Sequence, residues 1–312
     1  MSGLLLGAAY FLLGPGQLPW KEHAPPPGRV IQNAVDLQIA LARAGFSPGS
    51  IDGSLGTQTR QALAAFQTSR NLEATGERSP ALDKWLRIEE PTHAYLELSP
   101  EALARLTPKP STWRERGELA YFGYHSVLEM VAEKARADPD HIRAINPQVG
   151  WSALRAGDRV LAPLVGPYRI DGKVARIEIK LAKRQLQAFD HSGELVFHCP
   201  VSIARDVAKR PVGELEVTVR AEDPNYTFNP KILAATAARE GIREKFIIQP
   251  GPNNPVGTVW LGLNRPSYGI HGTPAPEKVG RTESSGCFRL ANWNAETLLA
   301  ATEVGTLVHV LP

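Results

Sequence analysis

The sequence contains only two cysteines among its 312 residues, which excludes a disulfide-stapled scaffold and a four-thiolate zinc site. No apolar run reaches the roughly 18 residues that a membrane-spanning helix needs. The net charge is only +3 and no block of Lys and Arg occurs, so nothing indicates nucleic-acid binding. Six histidines show no metal-ligand spacing with the cysteines, namely His23, His93, His125, His141, His191 and His198. We therefore expect neither a metal site nor a cofactor.

The N-terminal segment, residues 1–30, combines an apolar run, Leu4–Leu13, with a Pro-rich stretch, Pro19–Pro27. The apolar run has the length of a signal-peptide core, but no basic residue precedes it and no clear small-residue cleavage site follows it. An export signal or short membrane anchor is one interpretation, and a short buried element or disordered tail is the other. The Pro-rich stretch is not expected to be helical and is interpreted as a linker.

At roughly 150 residues per domain, the length indicates two or three domains. Across residues 31–90 the apolar spacing predicts three short helices. Gly45 ends the first helix, and a Gly-rich loop, Ile51–Thr57, precedes the second. One face of the second helix carries Thr59, Ala62, Leu63 and Phe66.

The order of loops and helices in this unit resembles the three-helix peptidoglycan-binding domain of cell-wall enzymes. The matching positions are LQ (37–38), GF (45–46), IDG (51–53), AL (62–63), FQ (66–67) and TG (75–76). The resemblance implies that residues 31–90 bind peptidoglycan. An unrelated helical bundle whose glycines only cap helices is the alternative.

Residues 91–118 contain four prolines and no sustained period, which predicts a linker with one short helix at Pro100–Arg105. Residues 119–165 predict two helices, the second capped by Asp138 and opened by Pro139, and then a strand. This βααβ order resembles a LysM glycan-binding module whose first strand is reduced to Tyr121–Tyr124. Whether the module binds glycan or is only a spacer stays open.

From residue 168 to 312 the pattern changes to period two, which is typical of β-strands. Strands are expected at 175–181, 185–189, 194–203, 214–220, 258–263 and 307–311, with short helices at 230–239 and 295–302. Short strands with Gly and Pro turns predict a single β-sandwich or open barrel. The whole chain is therefore expected to be a multidomain α+β protein with a small three-helix domain, a LysM-like module and a mostly-β sandwich domain.

Two segments of this last domain carry candidate chemistry, His271-Gly272-Thr273 and Ser284–Leu290. A cysteine nucleophile needs a base and backbone N–H donors for the oxyanion, and Ser-Gly-Cys with a histidine 16 residues upstream can supply both. A helix capped by Asn294 is expected to follow. On residue types alone, a buried structural Cys and a core His with satisfied hydrogen bonds are the commoner fate of these two residue types.

H-G-T followed by S-x-G-C-h-R closely resembles the signature of the YkuD-type L,D-transpeptidase catalytic domain. The resemblance extends to PVSIA (200–204), KRPVGEL (209–215) and GPNNPVG (251–257). It implies that Cys287 is the nucleophile and His271 its general base. It also implies that the amides of Gly286 and Cys287 hold the oxyanion, beside Gly272.

Other positions of the motif also have counterparts in the family. Arg289 stands where the family has an arginine near the substrate, either holding a carboxylate or bracing the loop. Ser284 matches the family's Ser/Thr, whereas Ser285 replaces a usual histidine, which leaves His271 as the only imidazole of the motif. Cys199 is expected to be a small buried hydrophobe, because a disulfide would mask the nucleophile.

The resemblance implies a peptidoglycan L,D-transpeptidase that forms a cysteine thioester from a tetrapeptide stem. The acceptor would be a second stem's amine, giving a 3→3 cross-link, or a lipoprotein lysine, or a free D-amino acid. With water as acceptor the protein would be an L,D-carboxypeptidase or amidase, and a non-catalytic peptidoglycan-binding scaffold is a further alternative. The expected partners are stem peptides and glycan in the periplasm or cell envelope, with roles in wall biogenesis and cell shape.

Overall fold

The computed structural model describes residues 28–80, 82–284 and 286–312. Most of the predicted export or anchor segment, up to residue 27, and Ser285 lie outside the described residues. The helices are α1 (Ala34–Arg43), α2 (Thr57–Ser69), α3 (Pro100–Ala104), α4 (Trp113–Glu118), α5 (Val127–Lys134), α6 (Pro139–Ile145), α7 (Ala234–Glu240) and α8 (Asn292–Ala301). None of the helices in these ranges combines the length and apolarity of a membrane span.

The strands of the described ranges belong to one large sheet and two small ones. They are β1 (His93–Glu97), β2 (Arg159–Pro163), β3 (Arg176–Lys180), β4 (Gln185–Phe189), β5 (Leu195–Pro200), β6 (Gly213–Glu222), β7 (Tyr226–Phe228), β8 (Phe246–Ile248), β9 (Val259–Leu263), β10 (Gly269–His271), β11 (Phe288–Arg289) and β12 (Leu307–Leu311).

The N-terminal helical unit contains α1 and α2 as the apolar spacing predicts. The Asn33 side chain accepts a hydrogen bond from an amide of the first turn of α1, and Gly45, with φ of 87°, lets the chain leave that helix. Phe46 packs edge to face on Phe66 of α2, with ring centroids 5.3 Å apart. The predicted third helix is only a single 3₁₀ turn, Leu82–Lys84.

The short helix predicted within residues 91–118 is confirmed, as α3, but the rest of this stretch is more structured than the predicted linker. This stretch contains α3, α4 and the strand β1, which pairs antiparallel with β2 from His93↔Pro163 to Glu97↔Arg159. The first strand of the middle unit is therefore β1 and not Tyr121–Tyr124, which forms no strand. The order strand, helix, helix, strand is present, with α3 and α4 inserted before α5, and the LysM identity stays a prediction.

The C-terminal domain is built on an eight-stranded sheet of order β11-β10-β9-β6-β12-β3-β4-β5. β6 belongs to both halves of this sheet, because its first residues pair with β12 and its last with β9, with a register shift between Val217 and Val219. Both halves and α8 bury side chains in one apolar core. The arrangement is sandwich-like, with a single strand crossing between the two layers.

The helical unit docks against the outer strand β5 of this sheet. The Ser47 amide donates to the carbonyl oxygen of His198 at 2.8 Å, and the His198 amide donates to that of Gly45 at 3.1 Å. Asn294 also serves this interface, since its Nδ2 donates to Ser47 Oγ at 3.1 Å. The prediction that Asn294 caps α8 is therefore wrong: α8 begins at Asn292, and Ala291 precedes it without a side-chain cap.

An insertion between β6 and β9 carries β7, α7 and β8. Its small core is completed by Trp113 of α4, whose ring lies 5.1 Å from that of Phe228 and whose amide donates to Glu240 Oε2 at 2.7 Å. Tyr226 is the first residue of β7. Burial is the main cause that raises its pKa, and the nearby Cys287 is the second. The middle unit therefore supports an element that borders the candidate site.

Candidate active site

The loop that carries Cys287 is fixed at both ends by the PVSIA segment. The Ser284 amide donates to the Ile203 carbonyl oxygen at 2.8 Å. Ser202 and Arg289 exchange both of their backbone hydrogen bonds, at 2.9 and 3.0 Å. Because strand-like pairing holds both ends, the intervening Cys287 is presented on a short, anchored loop.

The Cys287 thiol is partly exposed and free. It donates a weak hydrogen bond to the Ser267 carbonyl oxygen at 3.4 Å. Partial burial raises the pKa of this thiol, and a hydrogen bond from the Gly269 backbone opposes the rise. The resting side chain is therefore a thiol at neutral pH, and its proton must be removed when it attacks.

Cys199 is also a free thiol, and it lies on β5 with no exposed surface. Burial strongly raises its pKa. No disulfide joins Cys199 to Cys287, so the nucleophile candidate is not masked.

His271 ends β10 and is buried, with 5% of its surface exposed. Its Nδ1 lies 2.6 Å from the Gly272 carbonyl oxygen, so Nδ1 carries the proton and Nε2 is left with a free lone pair. The ring stacks on Trp260 with centroids 5.8 Å apart. Burial lowers the pKa of His271 to about 4, which keeps it a neutral base.

His271 and Cys287 lie on two neighbouring parallel segments, two register positions apart. β10 and β11 pair with Ile270 opposite Phe288 and His271 opposite Arg289, so Cys287, directly before β11, lies beside Gly269. No hydrogen bond joins the thiol and the imidazole in this structure, since the thiol points to Ser267. Proton transfer therefore requires the thiol to leave the Ser267 carbonyl oxygen and turn toward the imidazole.

Ser284 shapes the turn before the nucleophile. Its Oγ donates to the Cys287 carbonyl oxygen at 2.6 Å and accepts from the Gly286 amide at 3.2 Å. The Gly286 amide, predicted as an oxyanion donor, is therefore engaged within the loop. Ser285 lies outside the described residues.

Arg289 braces the loop. Its guanidinium donates to the Glu283 carbonyl oxygen and, at 3.3 Å, to Thr282 Oγ1. The Glu283 carboxylate in turn binds Arg184 at 2.8 Å. Of the two roles that the sequence left open for Arg289, these contacts correspond to bracing.

Asn292 is a site residue that sequence reasoning missed. Its Oδ1 accepts from the amides of Thr258 at 3.2 Å and Thr273 at 3.0 Å. Its Nδ2 donates to Glu133 Oε1 at 2.8 Å and to the Pro252 carbonyl oxygen at 3.2 Å. All four hydrogen-bonding positions of the carboxamide are thus used, and the one that accepts from the Thr273 amide fixes the segment that follows His271.

The contact with Asn292 explains the glycine at 272. A Cβ there would lie 2.1 Å from Asn292 Oδ1, and one at Gly257 would lie 2.0 Å from the same atom. Behind Asn292, Glu133 of α5 is buried and also accepts from the Tyr124 hydroxyl at 3.3 Å. Burial raises the pKa of Glu133 to about 8. Through Glu133, the middle unit therefore directly contacts Asn292, the residue that holds the segment after His271.

Within the described ranges, no group of three or more His, Cys, Asp or Glu side chains could hold a metal ion. The groups that the structure shows at the candidate site are a thiol, a neutral imidazole and backbone amides. This set is suited to acyl transfer through a covalent thioester.

Two family models match the chain. Residues 174–310 match the L,D-transpeptidase catalytic domain (YkuD), and residues 32–84 match the "Putative peptidoglycan binding domain". Together they confirm the two resemblances that the sequence motifs indicated, whereas the LysM-like module has no match among them. The chain thus carries a YkuD L,D-transpeptidase catalytic domain and an N-terminal peptidoglycan-binding domain.

Curated relatives carry the same description. "Putative L,D-transpeptidase YkuD" of Bacillus licheniformis is 26% identical over 59% of this chain and 93% of its own length. "Putative L,D-transpeptidase YqjB" of Bacillus subtilis is 37% identical over 32% of this chain and 51% of its own length. Among solved structures, "L,D-transpeptidase from Mycobacterium smegmatis" aligns with a TM-score of 0.36 at 14% identity, covering 49% of this chain and 66% of that one.

Proposed function

We propose that this chain, a member of the YkuD L,D-transpeptidase family by its catalytic domain, is a peptidoglycan L,D-transpeptidase that acts through a thioester on Cys287. The observation that carries the proposal is the anchored loop that presents a partly exposed thiol beside a buried neutral imidazole. The peptidoglycan-binding domain supports peptidoglycan as the substrate and the cell envelope as the place of action. Export by the N-terminal segment is part of the proposal.

In the acylation step the Cys287 sulfur attacks the carbonyl carbon of the L,D peptide bond of a tetrapeptide stem. The thiol proton passes to Nε2 of His271, and the C–S bond forms. The C–N bond then breaks, and the terminal D-residue leaves as an amine that takes the proton from His271. Because the pKa of His271 is lowered to about 4, the imidazolium releases this proton readily.

In the transfer step an acceptor amine attacks the thioester, the new C–N bond forms and the C–S bond breaks. His271 takes a proton from the attacking amine and returns one to the Cys287 sulfur. A stem side-chain amine, a lipoprotein lysine or a free D-amino acid would each serve as acceptor. Water would instead release a tripeptide stem and make the protein a carboxypeptidase.

The developing oxyanion is assigned to the Cys287 amide. The Gly286 amide joins it only if Ser284 Oγ releases its hydrogen bond. Arg289 and Asn292 hold the loop and the His271 segment in place. A role for Ser285 as a hydrogen-bond donor to the thiolate stays a prediction.

The test is incubation of the full chain with a disaccharide tetrapeptide and a free D-amino acid, followed by mass spectrometry of protein and product. We expect a covalent adduct lacking the terminal D-residue and an exchanged tetrapeptide. Cys287→Ala should abolish both, and Cys199→Ala should keep both. Exchange by Cys287→Ala at the wild-type rate would falsify the mechanism.

Two other results would identify the alternatives. An adduct that yields only tripeptide, whatever amine is added, indicates the L,D-carboxypeptidase. Binding to purified cell-wall sacculi without any adduct indicates a non-catalytic scaffold.

A further inference from the structure

A cleft of about 430 Å³ lies where the peptidoglycan-binding domain meets the catalytic domain. One wall is the loop and first turn of α2, within residues 52–61. The other wall consists of residues 182–184, between β3 and β4, and residues 280–281, upstream of Cys287. The volume lies within the usual range for ligand sites.

Three contacts across the cleft hold its walls in register. Asp52 forms a 2.8 Å ion pair with Arg281. Gln58 Nε2 donates to the Val279 carbonyl oxygen at 2.7 Å, and Gln61 Nε2 donates to that of Lys183 at 3.0 Å. The cleft is therefore preformed by specific contacts between the two domains.

The charges that line the cleft favour an anion. The catalytic wall supplies Lys183, Arg184 and Arg281. Arg281 is paired with Asp52, the single carboxylate of the lining. Arg184 is paired with Glu283, which leaves Lys183 as the cation that a ligand carboxylate can pair with. Lys183 is exposed, and in the described parts of the chain it forms no ion pair. The opposite wall begins α2 at Gly56 with no side-chain cap and no acidic residue in the first turn, which leaves the positive helix end uncompensated.

The cleft is also linked to the catalytic loop. Arg184 donates to Glu283 Oε1 at 2.8 Å, and Arg289 donates to the carbonyl oxygen of the same Glu283. Arg281 precedes Cys287 by six residues, a stretch that spans at most about 22 Å when fully extended. A four-residue stem spans about 14 Å by the same spacing, so the backbone positions of Arg281 and Cys287 are separated by less than the combined length of two such stems.

We propose that this cleft is a second binding site for peptidoglycan, one that takes a carboxylate-bearing stem peptide and holds it beside the stem acylated at Cys287. The proposal rests on the proposed function, because it takes peptidoglycan as the substrate. It adds a composite site to which the binding domain and the catalytic domain each contribute one wall. The cationic wall recognises the stem carboxylates, and the α2 end supplies backbone amides.

The test uses the full chain after acylation of Cys287 by a carbapenem, so that the catalytic position is filled. Binding of a free tetrapeptide stem is then measured by calorimetry for wild type, Lys183→Glu and Ser54→Trp. Ser54 is exposed and lines the cleft, so a tryptophan there fills it. We expect each substitution to weaken stem binding by about tenfold or more. Lys109→Glu, an exposed lysine away from the cleft lining, is the matched control and should change binding less than about twofold.

The outcomes separate this proposal from the proposed function. Carbapenem acylation, read by intact mass, reports on Cys287 and should be unchanged in the cleft variants. Normal acylation with no residual stem binding, or with binding that ignores both cleft substitutions, overturns the cleft site alone. Binding of a neutral N-acetylglucosamine oligomer in place of the stem overturns it as well. If no acylation occurs, the proposed function fails, and the same titrations on Cys287→Ala still decide the cleft.

Discussion

The catalytic domain contains two pairs of histidine and cysteine, and they differ in almost every respect except residue type. His198 and Cys199 are consecutive on β5, and neither has any exposed surface. His271 and Cys287 come from different segments that meet at the other edge of the sheet, and the Cys287 thiol is partly exposed. Only the second pair can meet a substrate.

The difference between the pairs lies in access and in hydrogen bonding more than in proton affinity. Burial lowers the pKa of His198 to about 3 and that of His271 to about 4, so both rings are neutral. His271 has its Nδ1 fixed on the Gly272 carbonyl oxygen, whereas neither ring nitrogen of His198 has a partner among the described residues. A fixed tautomer on the strand next to the thiol segment suits His271 to act as a base, and burial alone does not.

The largest effect is expected from His271→Ala. The thiol would lose its proton acceptor, and burial already raises the pKa of Cys287, so thiolate would form only at alkaline pH. We expect turnover to fall by roughly 10²-fold or more. Alkylation of Cys287 by iodoacetamide, measured against pH in a Cys199→Ser background, should shift upward.

The wild type offers a second check on His271. Since its pKa is about 4, the acid limb of kcat/KM should lie near that value and well below the 6.5 of a solvated imidazole. Ser285→Ala serves as the control and should cost far less than His271→Ala. An equal loss in both variants, or an unshifted alkylation profile in His271→Ala, would mean that another group activates Cys287.

Much of the fold could be predicted because its signals are local. The strands β4 and β12 were predicted with the bounds that the structure shows, since each alternates apolar and polar residues or lies between clear turns. The Asp138 cap on α6 is likewise confirmed, because a cap depends on residues within one turn. The candidate nucleophile and base were identified from a short motif for the same reason.

The features that were missed depend on contacts distant in sequence. β1 has its partner more than 60 residues away, Glu97 pairing with Arg159, so the segment alone resembles a linker. Asn292 gains its role from Glu133, which belongs to another unit. The hydrogen bond that occupies the Gly286 amide comes from a serine whose rotamer the motif does not specify.

Glu133 is linked to the His271–Cys287 pair, and the link runs only through Asn292, which holds the segment after His271. It therefore allows that pair to be tested separately from His198 and Cys199. Glu133→Ala removes the acceptor of Asn292 Nδ2 and leaves that buried donor unsatisfied. The Thr273 amide is then held less firmly, and we expect turnover to fall by about tenfold with the His271 segment displaced. Glu133→Gln keeps an acceptor oxygen of the same size and should restore most of the activity.

A merely structural role for Glu133 would give a different result. In that case Glu133→Ala and Glu133→Gln would differ in stability but would share the same acid limb of kcat/KM. If Glu133 instead positions the His271 segment, the acid limb should move in Glu133→Ala alone. Stability carries a pH signature as well. The folded pKa of about 8 exceeds the ordinary 4.5, so the folded state holds the extra proton, and wild-type stability should fall between pH 4.5 and 8 relative to Glu133→Gln.

The smallest effect is expected at the buried pair, from His198→Leu. Both ring nitrogens are buried without partners among the described residues, and an apolar side chain of similar size removes that cost, so stability at pH 7 should rise by about 1 kcal/mol.

The pH dependence of stability is the sharper measure of this buried pair. His198 has a folded pKa of about 3 against an ordinary 6.5, so only the unfolded state binds its proton between these values. Its contribution is present above pH 6.5 and is lost as pH falls toward 3, at about 1.4 kcal/mol per pH unit. Urea unfolding at pH 6, 5 and 4 should therefore show a slope shallower by about that amount in His198→Leu, because His271 and the other histidines contribute equally to both proteins. His191→Leu, which removes an exposed histidine from a turn, is the matched control. A wild-type slope in His198→Leu would show that the buried ring takes up its proton without unfolding, and the two pairs would then differ less than their burial indicates.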